Sequence, residues 1–542
     1  MKSVPNARIP GAPSALAALL TLMAACAPGA GGGPVEGPGP AAAPPPYIPL
    51  TTGLPAIPEV DAPLRIDVVH PVQGQARPRV DSTFVYGNVG TGGAALFING
   101  TPVPVAPNGA FIAYLPLPES GAWELTATRG GQRDKATVSY RTAGPQPVVE
   151  EETPAPAAPR TNTVPEGTFA APRSARVTGG GDTLATGGDA IYARPTPTGP
   201  YRWFFPRGAR LRLLERRGTQ YRAQLGDTVT AWINAAAVTL ADTAAAGADA
   251  APLGAVSVRP AARWVDVRVP ARFAPFQLTA DGQRWALTVY DVSAAGAAAP
   301  GAGDALLRGV SVEAAGARTA RVAMDFARAP WGYKAFYEPD GTLVVRVRRP
   351  PQIDPAAPLR GIRVLIDPGH PPAGATGPTR LREAEANLAI STRLIQRLRA
   401  AGADVRTTRT GTESVELGAR TEQAVREDAE LLISVHNNAF GEGANPARAH
   451  GTSVYYFHPF SAELARALDR EIVGVTRLPD LGAKWGNLAL VRPTWMPSAL
   501  TESLFMPIPE QEAALRDPDF LDRLADAHLR GIEAFLRARA GM

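Results

Sequence analysis

Stretches rich in proline, glycine and alanine divide the chain into segments, and this division limits its possible folds more than any other feature. The 542 residues include 55 Pro and 54 Gly, too many for one compact domain, so we expect the excess to lie in linkers. A chain of this length also exceeds a single hydrophobic core, at roughly 100 to 200 residues per domain. The sequence therefore predicts several packed modules joined by linkers.

The N-terminus is typical of an export signal. Lys2 and Arg8 precede an apolar stretch that is too short to span a bilayer as a mature helix. The stretch ends at Cys26, the one cysteine of the chain, and this ending resembles a bacterial lipoprotein signal. We predict a signal peptide over 1–26 and a membrane anchor through a lipid on Cys26. Ordinary signal cleavage after Ala27 is the alternative. A single cysteine also excludes an intrachain disulfide and a thiolate metal cluster.

The next part of the chain carries β-strand signals. Short apolar runs alternate with turn pairs such as Asn99-Gly100, which suits tight hairpins. The first two segments resemble an immunoglobulin-like β-sandwich and a Src-homology-three-like β-barrel. We predict, in chain order, a tether at 27–63, the β-sandwich at 64–142, a linker at 143–166, the β-barrel at 167–240, a linker at 241–254 and a third β-rich domain at 255–352.

From Leu359 onward the pattern changes to strands that alternate with helices. Strands are predicted at 363–366, 404–408, 431–435, 453–457, 487–491 and 499–501, and helices at 387–400, 415–426 and 519–538. Such alternation implies an open α/β sheet with helices on both faces. The predicted fold class is therefore multidomain, with a C-terminal α/β open sheet over 357–542 preceded by three small β-rich domains.

Four polar residues follow predicted strands or open a predicted helix of this sheet. His370 follows the first strand, His436 ends the strand at 431–435, and Glu502 follows the last strand. Glu383 lies in the loop before the first helix. The carboxyl ends of strands in open α/β sheets share one crevice, so we expect the four side chains to converge.

Two imidazoles and one carboxylate suit a catalytic zinc ion, because they leave a fourth position for water. Bound zinc lowers the pKa of that water towards about 7, and a carboxylate outside the coordination sphere can take its proton. Glu502 suits this role of general base. His450 and His458 are alternative ligands, but we expect both to be exposed to solvent. The predicted ligands are His370, Glu383 and His436.

A set of short motifs between about Leu359 and Arg539 contains all four residues. The motifs are Ile366-Asp367-Pro368-Gly369-His370, Glu383 ahead of Asn387-Leu388-Ala389-Ile390, Thr408-Arg409, Ile433-Ser434-Val435-His436-Asn437-Asn438-Ala439, Leu490-Val491-Arg492, Pro497 and Leu500-Thr501-Glu502. In order and spacing they resemble the zinc-dependent N-acetylmuramoyl-L-alanine amidases. The resemblance implies the same three ligands for one zinc ion and Glu502 as general base, and it adds Arg492 and Asn438 as residues that help place substrate.

The resemblance further implies hydrolysis of the amide between the lactyl group of N-acetylmuramic acid and L-alanine of the peptidoglycan stem peptide. The third β-rich domain is similar to the wall-targeting domain of many cell-wall amidases. The barrel resembles modules that hold peptidoglycan, although Trp203, Tyr221 and Trp232 also suit a plain core. The chain departs from the family at Pro371 and Pro372, where two glycines are usual; the prolines stiffen the loop and remove backbone donors.

Two other functions stay open on the sequence alone: an inactive wall-binding or activator lipoprotein, and a zinc peptidase that acts within the stem peptide. The formal charge is +5, and no run of Lys or Arg marks a nucleic-acid patch. We therefore expect peptidoglycan as the partner, no nucleic acid, and an exported protein in the cell envelope, facing the periplasm or the cell wall.

Overall fold

The computed structural model describes residues 45–141, 166–178, 191–244, 250–301 and 304–541. The predicted signal peptide, Cys26 and nearly all of the predicted linker at 143–166 lie outside the described residues. Among the residues that are described, no helix is both long enough and apolar enough to cross a membrane.

The first β-rich domain consists of two sheets packed face to face. A three-stranded sheet has the order β1-β3-β6 and a five-stranded sheet the order β2-β8-β7-β4-β5, with Phe111 and Trp123 fully buried between them. Asn99 has a positive φ of 48° at the hairpin turn after β4, as the Asn-Gly pair predicts. The strands are β1 (Asp67–His70), β2 (Gln75–Ala76), β3 (Ser82–Asn88), β4 (Ala95–Ile98), β5 (Thr101–Val103), β6 (Ala110–Pro116), β7 (Ala122–Arg129) and β8 (Gln132–Arg141).

The second β-rich domain is one antiparallel sheet of seven strands in the order β11-β10-β14-β13-β12-β9-β15. Trp203, Tyr221 and Trp232 are all buried, with at most 7% of their surface exposed, so the core interpretation of these aromatic residues is confirmed. The strands are β9 (Gly167–Val177), β10 (Ile191–Arg194), β11 (Trp203–Phe205), β12 (Arg210–Arg217), β13 (Gln220–Gln224), β14 (Thr230–Asn234) and β15 (Val238–Ala244).

The third β-rich domain packs two four-stranded antiparallel sheets, in the orders β17-β18-β25-β24 and β19-β20-β23-β22, around Trp285 and Phe326. A short parallel pair, β16 and β21, completes it. The strands are β16 (Ala251–Pro252), β17 (Ser257–Pro260), β18 (Trp264–Val269), β19 (Phe276–Asp281), β20 (Arg284–Tyr290), β21 (Val292–Ser293), β22 (Leu307–Gly316), β23 (Thr319–Phe326), β24 (Gly332–Tyr337) and β25 (Leu343–Arg348).

The C-terminal domain is a six-stranded mixed sheet in the order β27-β26-β28-β31-β29-β30. The β29 and β31 pair is antiparallel, whereas the other neighbours are parallel. The strands are β26 (Arg363–Pro368), β27 (Asp404–Thr407), β28 (Leu431–Asn438), β29 (Thr452–Tyr456), β30 (Asp480–Trp485) and β31 (Ser498–Phe505). The helices are α1 (Glu383–Ala400), α2 (Leu417–Arg426), α3 (Ala462–Thr476), α4 (Pro509–Ala514) and α5 (Pro518–Ala540).

Helices cover both faces of this sheet, because alternate strand residues point to opposite sides. Ile366 and Ile433 belong to the core cluster that contains α1, α3 and α5, whereas Leu365 and Leu432 pack with Ala424 of α2 on the other face. Burying each such side chain stabilises the fold by about 1.5–3 kcal/mol. The predicted fold class is confirmed.

The sequence prediction missed helices α3 and α4 and placed Glu383 in a loop, although it begins α1; it also differs in one strand. The prediction of a strand at 487–491 is wrong: Ala489–Val491 forms a single 3₁₀ turn whose three residues are buried. The edge strand of the sheet is instead Asp480–Trp485, which has no fully buried residue. A short apolar run does not distinguish a strand from a buried turn, and a polar edge strand lacks the apolar signal.

The third β-rich domain and the β-sandwich contact opposite ends of the strands of the C-terminal sheet. The third domain lies at the amino ends of the strands, where Trp331 Nε1 donates to the carbonyl of Glu430 at 2.7 Å and Arg348 donates to the carbonyl of Ala429 at 2.6 Å. The β-sandwich reaches the carboxyl ends, where the Tyr86 hydroxyl donates to the carbonyl of Thr376 at 3.0 Å. The edge that carries the predicted ligands therefore faces the N-terminal module.

Candidate metal centre

The three predicted ligands meet at the carboxyl ends of β26 and β28. His370 follows β26, Glu383 is the first residue of α1, and His436 lies near the end of β28. His370 Nε2 is 3.2 Å from one carboxylate oxygen of Glu383, and His436 Nδ1 is 3.1 Å from the other. One ligand atom from each residue lies within 4.8 Å of the other two, which is the spacing that a single cation needs.

Three donors orient the Glu383 carboxylate. The backbone N–H of Ala375 donates to one oxygen at 3.0 Å, and the other oxygen accepts from Asn387 Nδ2 at 3.2 Å and the N–H of Asn437 at 3.3 Å. Burial alone would raise the pKa of Glu383, but the hydrogen bonds and charges of the two histidines outweigh it and lower the pKa. Glu383 is therefore a carboxylate, the form that ligates metals.

A backbone carbonyl fixes the tautomer of His370. His370 Nδ1 is 3.1 Å from the carbonyl oxygen of Pro372, and because a carbonyl only accepts, Nδ1 carries the proton. Nε2 is then the ring nitrogen on the side of Glu383, and in the neutral ring it is the nitrogen that can ligate a metal. Pro371 also contributes its carbonyl, which accepts from Arg420 at 2.7 Å. The two prolines that depart from the family pattern thus supply acceptors to this loop.

Gly369 makes room for the second imidazole. A Cβ atom placed on Gly369 would lie 2.2 Å from Nε2 of His436, inside the ring's van der Waals surface. The N–H of Gly369 donates to the carbonyl of Val435 at 2.9 Å, which fixes this close approach. Only a residue without a Cβ fits here.

We expect Gly369→Ala to weaken metal binding at the candidate site by about 10-fold or more, because the methyl group must displace the His436 ring and outer contacts of this kind are worth 10–100-fold in metal affinity. Zinc affinity measured by competition with a chromophoric chelator checks this. The matched control is Gly474→Ala in α3, where a Cβ meets nothing within 4 Å. Equal zinc affinities for the two variants would contradict the packing argument.

Glu502 lies beside the candidate ligands. It is the register partner of His436 in the parallel ladder of β28 and β31, so both side chains leave the sheet on the same face. Its Oε2 is buried and has no hydrogen-bond partner among the described residues. Burial and the negative charge of Glu383 raise the pKa of Glu502 well above its usual range. A carboxyl group with a raised pKa and a free oxygen suits proton transfer.

A buried ion pair supports the turn that leads to His370. Asp367 is fully buried and accepts from Arg420 at 2.7 Å and from the hydroxyls of Thr408 and Ser434 at 2.6 Å each. Arg409 donates to the carbonyls of Pro368, Gly369, Gly411 and Ala384. The sequence prediction gave these residues no role. Asp367 and Arg409 stand in the motifs, whereas Arg420 lies in a charged helix with no signal that marks it.

The two predicted substrate residues are placed differently. Asn438 ends β28, two residues after His436, and its Oδ1 accepts from the N–H of Ala439 at 2.8 Å. Arg492 instead donates to Asn487, and its guanidinium lies 4.9 Å from the centre of the Tyr201 ring of the second β-rich domain. The structure brings Asn438 to the edge that carries the candidate ligands.

Strand register places Arg492 far from this edge. The Arg492 carbonyl accepts from His458 Nε2 at 2.7 Å, and His458 lies five residues beyond Ser453, the register partner of Glu502. Because β29 runs antiparallel to β31, this direction leads towards the amino ends of the parallel strands. The structure does not bring Arg492 to the candidate ligands.

The prediction that His450 and His458 are exposed is wrong. Both are buried: His450 Nδ1 lies 2.7 Å from the carbonyl of Pro446, and burial lowers the pKa of His458 to about 4. Residues beside Gly and Pro were expected on the surface, but backbone carbonyls satisfy these rings in the interior. Among the described residues, neither histidine joins a group of metal-ligating side chains.

Sequence comparison matches the same domain. A family described as N-acetylmuramoyl-L-alanine amidase matches residues 364–534. The chain is 28% identical over 186 residues to the uncharacterized protein YqiI of Bacillus subtilis, covering 33% of this chain and 87% of that protein. It is 31% identical over 185 residues to the probable cell wall amidase LytH of Staphylococcus aureus, covering 33% of this chain and 60% of that protein.

Solved structures match over a similar region. An N-acetylmuramoyl-L-alanine amidase from Clostridium difficile is 28% identical, with a TM-score of 0.31, and the match covers 33% of this chain and 97% of that one. The catalytic domain of CwlV, an amidase from Paenibacillus polymyxa, is 30% identical, with a TM-score of 0.30. The match covers 32% of this chain and 98% of that one. The predicted recognition is confirmed by the family match: residues 364–534 belong to the N-acetylmuramoyl-L-alanine amidases, a family of peptidoglycan hydrolases.

Proposed function

We propose that the chain hydrolyses the amide between the lactyl group of N-acetylmuramic acid and L-alanine of the stem peptide, with one zinc ion held by His370, Glu383 and His436. The observation that carries this proposal is the convergence of the three ligand atoms within 4.8 Å, next to a buried carboxyl oxygen of Glu502 that has no partner in the described structure. The family match to residues 364–534 supports the class of bond.

The donor set suits zinc. Two imidazole nitrogens and one carboxylate are ligands that Zn²⁺ prefers at catalytic sites, and three protein ligands leave room for a further one. Outer contacts from Pro372, Asn387 and Asn437 orient these groups, as is usual around ligating histidines and carboxylates. A bound zinc ion supplies Lewis acidity, which polarises the scissile carbonyl and makes a nearby water more acidic.

Glu502 moves the protons of the reaction. Its free Oε2 takes a proton from the attacking water and then gives that proton to the leaving amine of L-alanine, which would otherwise depart as an unstable anion. The raised pKa of Glu502 makes the second transfer favourable. We propose that Asn438, at the same edge, contacts the substrate, because it ends the strand that carries His436.

Product analysis tests the proposed bond. We expect the purified protein to release intact stem peptides that begin with L-alanine from wall glycan, to lose this activity with a chelator, and to regain it with zinc. Mass spectrometry of the fragments distinguishes the candidates. Cleavage within the stem would instead identify a zinc peptidase, and tight glycan binding without products would identify a wall-binding lipoprotein.

We also propose that the chain is exported to the cell envelope and anchored through a lipid on Cys26, on the sequence of its N-terminus. The expected result is that the protein sediments with membranes, whereas Cys26→Ser leaves it in the soluble fraction. Release of both proteins into the soluble fraction would exclude the anchor and leave ordinary signal cleavage as the route of export.

A further inference from the structure

The β-sandwich contacts both loops that adjoin the candidate metal ligands. The first ligand loop, residues 371–382, joins His370 to Glu383. The second ligand loop, residues 439–451, follows β28, which carries His436. One accessory module therefore touches the neighbours of all three ligands.

In the first ligand loop, the sandwich contacts the residue next to Ala375, whose N–H donates to Glu383. The Tyr86 hydroxyl donates to the carbonyl of Thr376 at 3.0 Å, and the N–H of the preceding residue, Ala375, donates to Glu383 at 3.0 Å. Arg380 of the same loop donates from Nε to Asp67 of β1 at 2.7 Å. Two polar contacts from the sandwich thus fix the segment that holds a ligand carboxylate.

The catalytic domain holds the same loop from the other side. The buried carboxylate of Glu512 accepts from the N–H groups of Thr379 and Leu381 at 2.9 and 3.0 Å. Thr376 and Arg382 form a single bridge, and the loop contains no other strand or helix. A loop with so little regular structure depends on outside contacts for its conformation.

The second ligand loop is held by hydrogen bonds and aromatic contacts. The Glu442 carboxylate accepts from Gln75 Nε2 at 2.6 Å and from the Thr83 hydroxyl at 3.0 Å. The Phe440 ring lies 5.5 Å from Phe84 of the sandwich and 4.7 Å from Phe505, three residues beyond Glu502. These distances suit favourable aromatic pairs, each worth about 0.5–1.5 kcal/mol.

We propose that the β-sandwich positions the metal centre, with Tyr86 and Asp67 as positioning residues that keep the Ala375 N–H directed at Glu383. This inference rests on the proposed function, in which Glu383 is a zinc ligand. A sandwich that merely docks on the domain would bury the same surface without affecting zinc affinity.

The test is the double variant Asp67→Asn and Tyr86→Phe, which removes the charge and the hydroxyl but keeps the side-chain shapes. We expect zinc affinity to fall about 10-fold, at the lower end of the effect of outer-shell contacts, while the protein stays folded. Amide hydrogen exchange at residues 375–383 of the metal-free protein should also become faster. The matched control is Tyr140→Phe, whose hydroxyl contacts Trp123 inside the sandwich.

Two further results decide the matter. The charge exchange Asp67→Arg with Arg380→Asp should recover zinc affinity relative to Asp67→Arg alone, as a contact between the two residues requires. A folded double variant with unchanged zinc affinity and unchanged exchange would overturn the proposal. Failure of the unmodified protein to bind zinc would instead reject the proposed function, and the exchange measurement on the metal-free protein separates the two outcomes.

Discussion

Glu502→Gln should lower kcat by at least about 100-fold and leave zinc affinity nearly unchanged, since general acid and base groups contribute about 10²–10⁴-fold to rates. The amide keeps the size of the side chain but cannot carry the proton from water to the leaving amine. The raised pKa of Glu502 adds a second expectation. Because burial and Glu383 disfavour the charged carboxylate, the neutral amide should leave the metal-free protein at least as stable as the parent.

Activity on wall glycan, zinc affinity and thermal melting together check the role of Glu502. A matched control is Glu471→Gln in α3, whose carboxylate pairs with Arg530 on the surface and should not affect turnover. An active Glu502→Gln enzyme would remove this residue from the mechanism. Loss of zinc along with activity would reassign Glu502 to the ligand set.

Arg420→Met should destabilise the fold by about 3–5 kcal/mol, the usual effect of removing one partner of a buried ion pair. Arg420 and Asp367 are each at most 2% exposed, so the variant leaves the Asp367 carboxylate uncompensated in the interior. Denaturant unfolding measures the effect. Arg530→Met, which breaks a surface pair with Glu471, is the matched control and should change stability by less than about 1 kcal/mol.

Stability should also depend on pH through Asp367. Burial acts to raise its pKa, but the charge of Arg420 and the hydroxyls of Ser434 and Thr408 outweigh burial, so the pKa is lowered on folding. A carboxyl group with a lowered pKa stabilises the fold fully above its unfolded value, near 3.9, and this contribution is lost as the pH falls through the folded value. The parent should therefore lose more stability below pH 4 than the double variant Asp367→Asn with Arg420→Met. Parallel losses in the two proteins would contradict this.

The strand ends of the α/β domain could be predicted because their chemistry is local in sequence. The candidate ligand His436 directly follows the predicted strand at 431–435, and His370 lies four residues beyond the predicted strand at 363–366; parallel strands bring such ends to one edge. Glu383 was expected in a loop but begins α1. The convergence of the three candidate ligands could therefore be predicted, because the alternation of strands and helices in the sequence indicates a parallel sheet.

The environment of the site could not be predicted in the same way. Arg492 stands in a motif, yet its guanidinium packs against Tyr201 of the second β-rich domain, a contact between residues almost 300 positions apart that no local pattern encodes. The burial of His458 likewise depends on the distant carbonyl of Arg492. Contacts between modules arise from complementary surfaces, and a single sequence carries no signal of which surfaces meet.

A segment that precedes the β-sandwich in sequence already contacts the C-terminal domain. Tyr47 and Thr51 both hydrogen-bond to Glu510 of α4, so this N-terminal segment is fixed beside the hydrolase domain before the sandwich begins. If Cys26 carries a lipid, 21 peptide units join the anchor to this point. At about 3.3–3.6 Å each, they span at most ~75 Å, so the enzyme can reach only the layer of wall nearest its membrane.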